Sequence, residues 1–281
     1  MKITKVYFLL WLIFLGFSSR IKLRNSTVYH NELNFLNDTN SLSLIVGHPD
    51  DEVMFFAPTL LQLDKFMPSS VDFNVVCLSK GGADGLSETR VIELQRSVNF
   101  LLANTKRKVE LFQFDYPDGH DERWDQTSVK NAIKSAVLEN SDVQRAVLLT
   151  FDSHGVSNHP NHIACYNAVS ALLHDEKNVD AALYLNSYQG NMALKYSSFF
   201  WELCKLTRQW LASHVSASPP ALASVLALNP TVTLMSTYTQ YILSFASMMG
   251  AHESQMVWYR YAWWTFSRFV FVNDLKVHFS N

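Results

Sequence analysis

Cysteine is scarce in this chain: three residues in 281, Cys77, Cys165 and Cys204. They are odd in number and far apart, and none forms a CxxC pair, so no disulfide framework is available. Each lies in an apolar segment and reads as a reduced core thiol on the cytosolic side. Net charge is also small, −2 at pH 7. No basic excess exists to attract nucleic acid, so a nucleic-acid partner is excluded. No GxGxxG or Walker pattern is present, which leaves the glycines of Gly81–Gly85 weak as a nucleotide loop. Internal repeats and low-complexity tracts are missing too.

Long apolar runs are nearly absent. The one clear case is Val6–Phe17, VYFLLWLIFLGF, with Lys2 and Lys5 before it and Arg20, Lys22 and Arg24 after it. A spanning helix needs about 20 residues; Ile3 and Ile21 extend this run only if the basic residues snorkel. Residues 1–24 are read as a signal-anchor or transmembrane segment. A cleaved signal peptide fits as well, with Gly16 and Ser18 as a small-residue cleavage site. The basic residues after the run tilt the balance slightly to a cytosolic body. Residues 25–41, polar and Asn-rich in their second half, are expected to be a linker. Asn25-Ser-Thr and Asn37-Asp-Thr fit the glycosylation pattern, and either carry glycans in a lumenal body or are chance matches in a cytosolic one.

What the chain does have is hydrophobic residues, 48% of the total, enough for one large domain over residues 42–281. Apolar runs at 42–46, 71–79, 109–114, 145–151 and 181–185 read as strands. Between them, 53–63, 87–103, 126–139 and 162–173 read as helices. This alternation predicts an α/β fold: a mostly parallel, Rossmann-like sheet with helices on both faces, preceded by an N-terminal membrane anchor. Every polar loop then falls at a strand's carboxyl end, where such sheets bind ligands.

The first of those loops is Gly47-His48-Pro49-Asp50-Asp51-Glu52. Three acids and a histidine at the end of an apolar strand are costly unless something positive sits among them. His48 and Asp51, three apart in a first helical turn, share a face; Asp50 points elsewhere. One carboxylate can therefore ligate a metal while its neighbour acts on water. A helix N-terminus with acidic, dipole-friendly residues is the plainer reading. A second loop, Ser157-Asn158-His159-Pro160-Asn161-His162, repeats the pattern after the fourth strand. Together, His48, Asp51 and His162 form a His₂-carboxylate set with open positions, as in catalytic zinc sites. Zn²⁺ is the default divalent metal, though Fe²⁺ or Mn²⁺ suit the same ligands.

The GHPDDE turn after a strand resembles the signature of the PIG-L-like (LmbE-like) zinc de-N-acetylase family, and further stretches match it from Leu42 to Asn273. The resemblance implies His48, Asp51 and His162 as ligands, Asp50 as general base, and His159 as the group that steadies or protonates the reaction centre. It sets Gly81–Gly85 and Arg90 in the substrate loop, where a fixed guanidinium suits a phosphate; a surface Arg paired with Glu88 or Glu93 is the plainer alternative. It sets Tyr116-Pro117-Asp118-Gly119 and Trp124 in a pocket loop, with Asp118 as a substrate contact, against the plain alternative of a turn. Prokaryotic relatives often have Asp where Asn161 stands, so a substitute partner for His159 is needed; Asp152 offers one, or is only an Asx turn.

The ending, His252-Glu-Ser-Gln, then Trp258-Tyr-Arg260 and Phe266-Ser-Arg268, resembles the eukaryotic GPI branch of that family. The resemblance implies a glycolipid substrate, N-acetylglucosaminyl-phosphatidylinositol, deacetylated in the second step of GPI-anchor synthesis. It also implies an endoplasmic reticulum membrane location with the catalytic domain facing the cytosol. Residues 216–281, rich in aromatics, are read as membrane-proximal, and 222–249 as packed or interfacial helices. Two alternatives stay open: a related de-N-acetylase acting on another N-acetyl sugar, and a non-catalytic membrane-tethered binding protein of the same fold. The sequence does not fix the oligomeric state.

Overall fold

The computed structural model describes residues 2–139, 143–215 and 231–280. In chain order the elements are α1 (Lys2–Gly16), α2 (Ser18–Glu32), β1 (Ser41–Val46), α3 (Asp51–Met54), α4 (Ala57–Phe66), β2 (Asp72–Cys77), α5 (Ser87–Leu101), β3 (Val109–Gln113), α6 (Gln126–Val137) and β4 (Ala146–Phe151). Then come α7 (Gly155–Asn158), α8 (Pro160–Asp175), β5 (Val179–Leu185), α9 (Met192–Lys195), α10 (Phe200–Val215), β6 (Thr231–Met235), α11 (Tyr238–Ala251), α12 (Trp258–Phe266) and β7 (Val272–Phe279). The sheet order is β3-β2-β1-β4-β5-β7-β6. β1 to β5 pair in parallel; β7 runs antiparallel to both β5 and β6.

The five strands expected from the sequence are present, in the doubly wound order 3-2-1-4-5. β1 and β4 are buried at every position, as befits central strands covered on both faces. The helices fall into two groups. α6 packs with α8, which lies on β4 and β5; α11 packs with α3, α4 and α5, and α2 with α4 and β6. Successive strands are added outward in opposite directions on either side of β1 and β4, so the crevice for a ligand opens past the carboxyl ends of these two parallel strands. Both histidine loops begin there.

Three expectations change. The helix expected over 53–63 is split between α3 and α4. Asn273 of β7 reaches across the gap: its Nδ2 donates to the Phe55 carbonyl at 2.8 Å, and its Oδ1 accepts from Thr59 N at 3.1 Å and Thr59 Oγ1 at 2.7 Å. Those bonds replace the backbone bonds the break gives up. Residues 25–41 are not a linker. α2 runs on to Glu32 and a 3₁₀ turn covers Asn34–Asp38, because Ile21, Asn25 and Tyr29 make a four-residue stripe that is buried. Asn25 crowns it, donating to the Met235 carbonyl at 2.7 Å and accepting the Met235 N–H at 3.2 Å. Cys77 and Cys165 are core thiols, but Cys204 is exposed.

Among the described residues no single helix is long and apolar enough to cross a membrane; α1 and α2 meet at a 55° bend. The stretch 222–230, expected to begin a helix, lies outside the described residues. From 231 on, the chain forms β6 and then α11.

Candidate metal centre

Gly47 ends β1, and the turn that follows is tied by Asp51. Its Oδ2 accepts the backbone N–H of Gly47 at 3.0 Å and of His48 at 2.9 Å. The same oxygen lies 3.3 Å from His162 Nε2 and 3.7 Å from His48 Nδ1, and those two nitrogens are 3.3 Å apart. Four-coordinate zinc with bonds near 2.1 Å separates its ligand atoms by about 3.4 Å. The three atoms are thus spaced as one ion requires. All three residues are at most 7% exposed.

The outer nitrogens fix the tautomers. His162 Nδ1 faces the Gly155 carbonyl at 3.1 Å, so its proton sits there and Nε2 is free to ligate. His48 Nε2 faces Asp118 Oδ1 at 3.0 Å and Asn161 Oδ1 at 3.0 Å, which leaves Nδ1 free. Burial opposes a charged His48 ring, yet the hydrogen bonds to Asp118 and Asp51 outweigh it and push the pKa to about 10. Burial likewise opposes ionisation of Asp51, but His162 and His48 hold it well below the usual carboxylate range. A metal cation takes the place of those protons when it binds.

Asp50 stands apart from the three. Its backbone is left-handed, φ 103°, a conformation that costs a non-glycine residue about 1–3 kcal/mol. Glu52 holds it there, accepting the Asp50 N–H at 3.1 Å. Glu52 is itself gripped by Ser97 Oγ at 2.5 Å and His252 Nε2 at 2.7 Å. The Asp50 carboxylate faces Arg260 at 3.1 Å and Arg90 at 3.7 Å. Burial pushes its pKa above the usual carboxylate range, with Arg260 and Arg90 pulling against it.

His159 caps α8, its Nδ1 accepting the Asn161 N–H at 3.3 Å, so a neutral ring carries its proton on Nε2. Its ligand atom lies within 4.8 Å of those of His48 and His162. Burial first, then the His162 and His48 charges, lower its pKa to about 3. Asn161 serves His48 rather than His159. Asp152 does not reach His159 either: it accepts from His154 N and Ser187 N, and is the Asx-type turn.

Two expected substrate contacts are placed otherwise. Asp118 is bonded to His48 and lies 3.5 Å from Arg90. Arg90 is buried and clasps the turn, donating to the Pro49 carbonyl at 2.6 Å and the Gly81 carbonyl at 3.0 Å. Its Nε has no hydrogen-bond partner among the described residues. Glu93, offered as its alternative partner, binds Ser254 instead. Sequence reasoning did not bring Arg260, Glu52, His252 or His120 to the site. His120, in the loop after Asp118, lies against His159 with ring centroids 4.3 Å apart. The signal for Glu52, His252 and Arg260 was their place in the motifs already quoted; His120 had none beyond its loop.

Fold and site together define an α/β protein in which His48, Asp51 and His162 could hold a metal ion, with a second carboxylate, Asp50, beside them. That is the arrangement of a metal-dependent hydrolase. A family model for PIG-L, GlcNAc-PI de-N-acetylase, matches residues 43–173. The chain is 42% identical over 291 residues to the N-acetylglucosaminyl-phosphatidylinositol de-N-acetylase of Saccharomyces cerevisiae, covering 99% of this chain and 94% of that protein. It is 30% identical over 236 residues to the probable enzyme of the same name from Schizosaccharomyces pombe, covering 84% and 86%. A looser likeness is to the N,N'-diacetylchitobiose deacetylase of Pyrococcus horikoshii: TM-score 0.48, 14% identity, 90% of this chain and 89% of that one. The chain belongs to the PIG-L family of GlcNAc-PI de-N-acetylases.

Proposed function

We propose that this protein removes the acetyl group from N-acetylglucosaminyl-phosphatidylinositol, giving acetate and glucosaminyl-phosphatidylinositol for GPI-anchor biosynthesis. The observation that carries the reading is the separation of roles within one turn. Asp51 joins His48 and His162 at ligand spacing, while Asp50, its neighbour, is held apart with a raised pKa.

His48, Asp51 and His162 would hold a divalent cation, with Zn²⁺ favoured by the His₂-carboxylate set. When bound, the ion supplies Lewis acidity toward the acetamide carbonyl and lowers the pKa of water. Asp50 takes the proton of the attacking water, for which a raised carboxylate pKa is suited. His159, neutral with its proton on Nε2, donates a hydrogen bond to the oxyanion that develops on the acetamide oxygen. Steadying is therefore its role, rather than protonation. Asp50 then returns the proton to the leaving amine. Arg260, with its side chain 20% exposed, is placed to meet the substrate phosphate; Arg90 is committed to the turn.

The reading includes association with a membrane and a cytosolic face. Asn25 supports the latter: its amide is buried and bonded to Met235, so a glycan there is incompatible with this fold. Acetate release from the glycolipid in detergent micelles tests the function. Wild type should lose activity to a chelator and regain it with Zn²⁺. Asp50→Asn should keep the metal and release no acetate. Wild type that binds metal but leaves this lipid intact would overturn the substrate assignment.

A further inference from the structure

The short α7 is strained at one residue. Gly155, Val156 and Asn158 all have left-handed backbone, at φ 51°, 63° and 58°. Glycine adopts that conformation freely and Asn tolerates it. Val156 does not: a β-branched residue there is a genuine outlier, and it persists only where its surroundings impose it. Val156 is buried, and two side chains grip its backbone from either side. Ser187 Oγ accepts the Val156 N–H at 2.7 Å. Lys195 Nζ donates to the Val156 carbonyl at 2.5 Å. Fixing the planar peptide on each side of one Cα fixes both dihedrals of that residue, so the pair sets φ and ψ of Val156.

The first of those two peptides bears on the metal centre. The unit that carries the Val156 N–H also carries the Gly155 carbonyl, which faces His162 Nδ1 at 3.1 Å. Turning it to relax Val156 would take that carbonyl off the ring. There is little slack beside it: a Cβ at Gly155 would lie 2.8 Å from His162 Cβ. The same loop runs into His159, the N-cap of α8.

Nothing else accounts for Lys195. It is 8% exposed, and among the described residues its ammonium makes one hydrogen bond, to Val156, and no ion pair. Burying a charge on those terms is costly; burial lowers its pKa, with Asp152 opposing. Both grips are themselves anchored. Ser187 donates its N–H to Asp152 Oδ2 at 2.8 Å and its hydroxyl to Asp152 Oδ1. The Lys195 carbonyl accepts the Arg268 N–H at 2.9 Å, and the Ser198 N–H reaches the Phe266 carbonyl at 2.9 Å. The Phe266-Ser267-Arg268 turn, which the hydrolysis does not use, is thereby joined to the metal loop.

We propose that Lys195 is a positioning residue of the metal centre: with Ser187 it clamps the left-handed Val156, so that the Gly155 carbonyl stays on His162 Nδ1 and His162 presents Nε2 to the ion. This role rests on the metal reading above; only its kinetic consequence rests on the glycolipid.

In the full chain, Lys195→Met should weaken Zn²⁺ binding about tenfold, the lower end for partners behind a ligand, in competition with a chromophoric chelator. Val156→Gly removes the conformational conflict, so adding Lys195→Met in that background should cost about twofold at most. Co²⁺ reports the same coupling: the visible bands of Lys195→Met should shift from wild type, whereas Val156→Gly and Val156→Gly/Lys195→Met should match each other. At saturating Zn²⁺, Lys195→Met should lower kcat for the glycolipid with KM unchanged. Unchanged affinity in Lys195→Met, or an undiminished loss in the Val156→Gly background, would overturn the proposal. Should Lys195→Met fail to fold, Ser187→Ala cuts the other grip and carries the same expectations and the same refutations. Wild type that binds Zn²⁺ yet releases no acetate would sink the functional reading and leave this role standing; wild type that binds no Zn²⁺ would sink both.

Discussion

Replacing Asp118 by Ala asks whether that carboxylate serves the substrate or the metal. Its Oδ1 lies 3.0 Å from His48 Nε2, the nitrogen facing away from the ligand cluster. Such outer partners typically contribute 10–100-fold to metal affinity, about 1.4–2.7 kcal/mol. Asn161 Oδ1 is also 3.0 Å from the same nitrogen, so a neutral acceptor remains after the change. The expected loss is therefore near the lower limit, about tenfold, and should approach a hundredfold when Asn161→Ala is added. Competition for Zn²⁺ against a chromophoric chelator measures it directly, without any activity. Once the site is saturated with Zn²⁺, KM for the glycolipid should be unchanged. Undiminished metal affinity with a raised KM would refute this reasoning and restore Asp118 as a substrate contact.

Other perturbations separate the remaining parts. Glu52→Gln weakens a charged acceptor of the Asp50 N–H, a contact of about 1.5–3 kcal/mol; kcat should fall on the order of 10–100-fold with the metal retained and KM little changed, and equal loss in KM alone would point to another role. Gly155→Ala meets both a positive φ of 51° and a Cβ position 2.8 Å from His162 Cβ; chelator titration should show weaker metal binding, and normal affinity would mean that the turn gives way freely. Arg268→Met leaves Asp274 buried without its cation, while Glu202 keeps Lys205 at 2.7 Å and Arg24 at 3.5 Å, an expected loss of about 3 kcal/mol in urea unfolding. Arg268 also governs acid stability. Burial opposes ionisation of Asp274 and Glu202, but Arg268, with Thr233, Tyr188 and Lys205, holds both below their usual range. The stability they contribute is complete above roughly pH 4 and is lost as pH falls through their lowered folded values. The wild-type urea midpoint should therefore drop steeply in acid and that of Arg268→Met less so; parallel curves would disprove the linkage.

The parallel half of the fold was legible because its signal is local. β1 to β5 are short apolar runs, each followed by a polar loop, and both the strand and the placement of the loop follow from the run itself. The antiparallel edge was hidden because its determinants are distant. β7 carries Asn273 and Asp274 at the buried start of the strand, which reads as a break in the sequence until Phe55, Thr59 and Arg268 are brought against them. α2 was missed for the same reason: a buried Asn25 interrupts an apolar stripe, and its partner Met235 is 210 residues away. In the site, the residues proposed as ligands stand in two short motifs, while the partner of each outer nitrogen is not visible locally. Asp118 is expected as a substrate contact, with a Pro-Asp-Gly turn as the plain alternative; its partner His48 lies 70 positions earlier and no local pattern joins them.

That dependence on distant segments has a consequence for the chemistry. Asp50 sits in an unfavourable backbone conformation that the HPDDE turn alone has no means to hold. Its restraint is Glu52, and Glu52 is restrained by Ser97 on α5 and by His252 just past α11, itself fully buried. Arg260 on α12 fixes the other end of the residue through its carboxylate. The residues proposed as metal ligands come from the two loops at the β1/β4 switch point, whereas the proposed base is held by α5 and the last quarter of the chain. On the proposed assignment, loss of the contacts from α5, α11 and α12 should abolish hydrolysis while metal binding by the β1 and β4 loops persists.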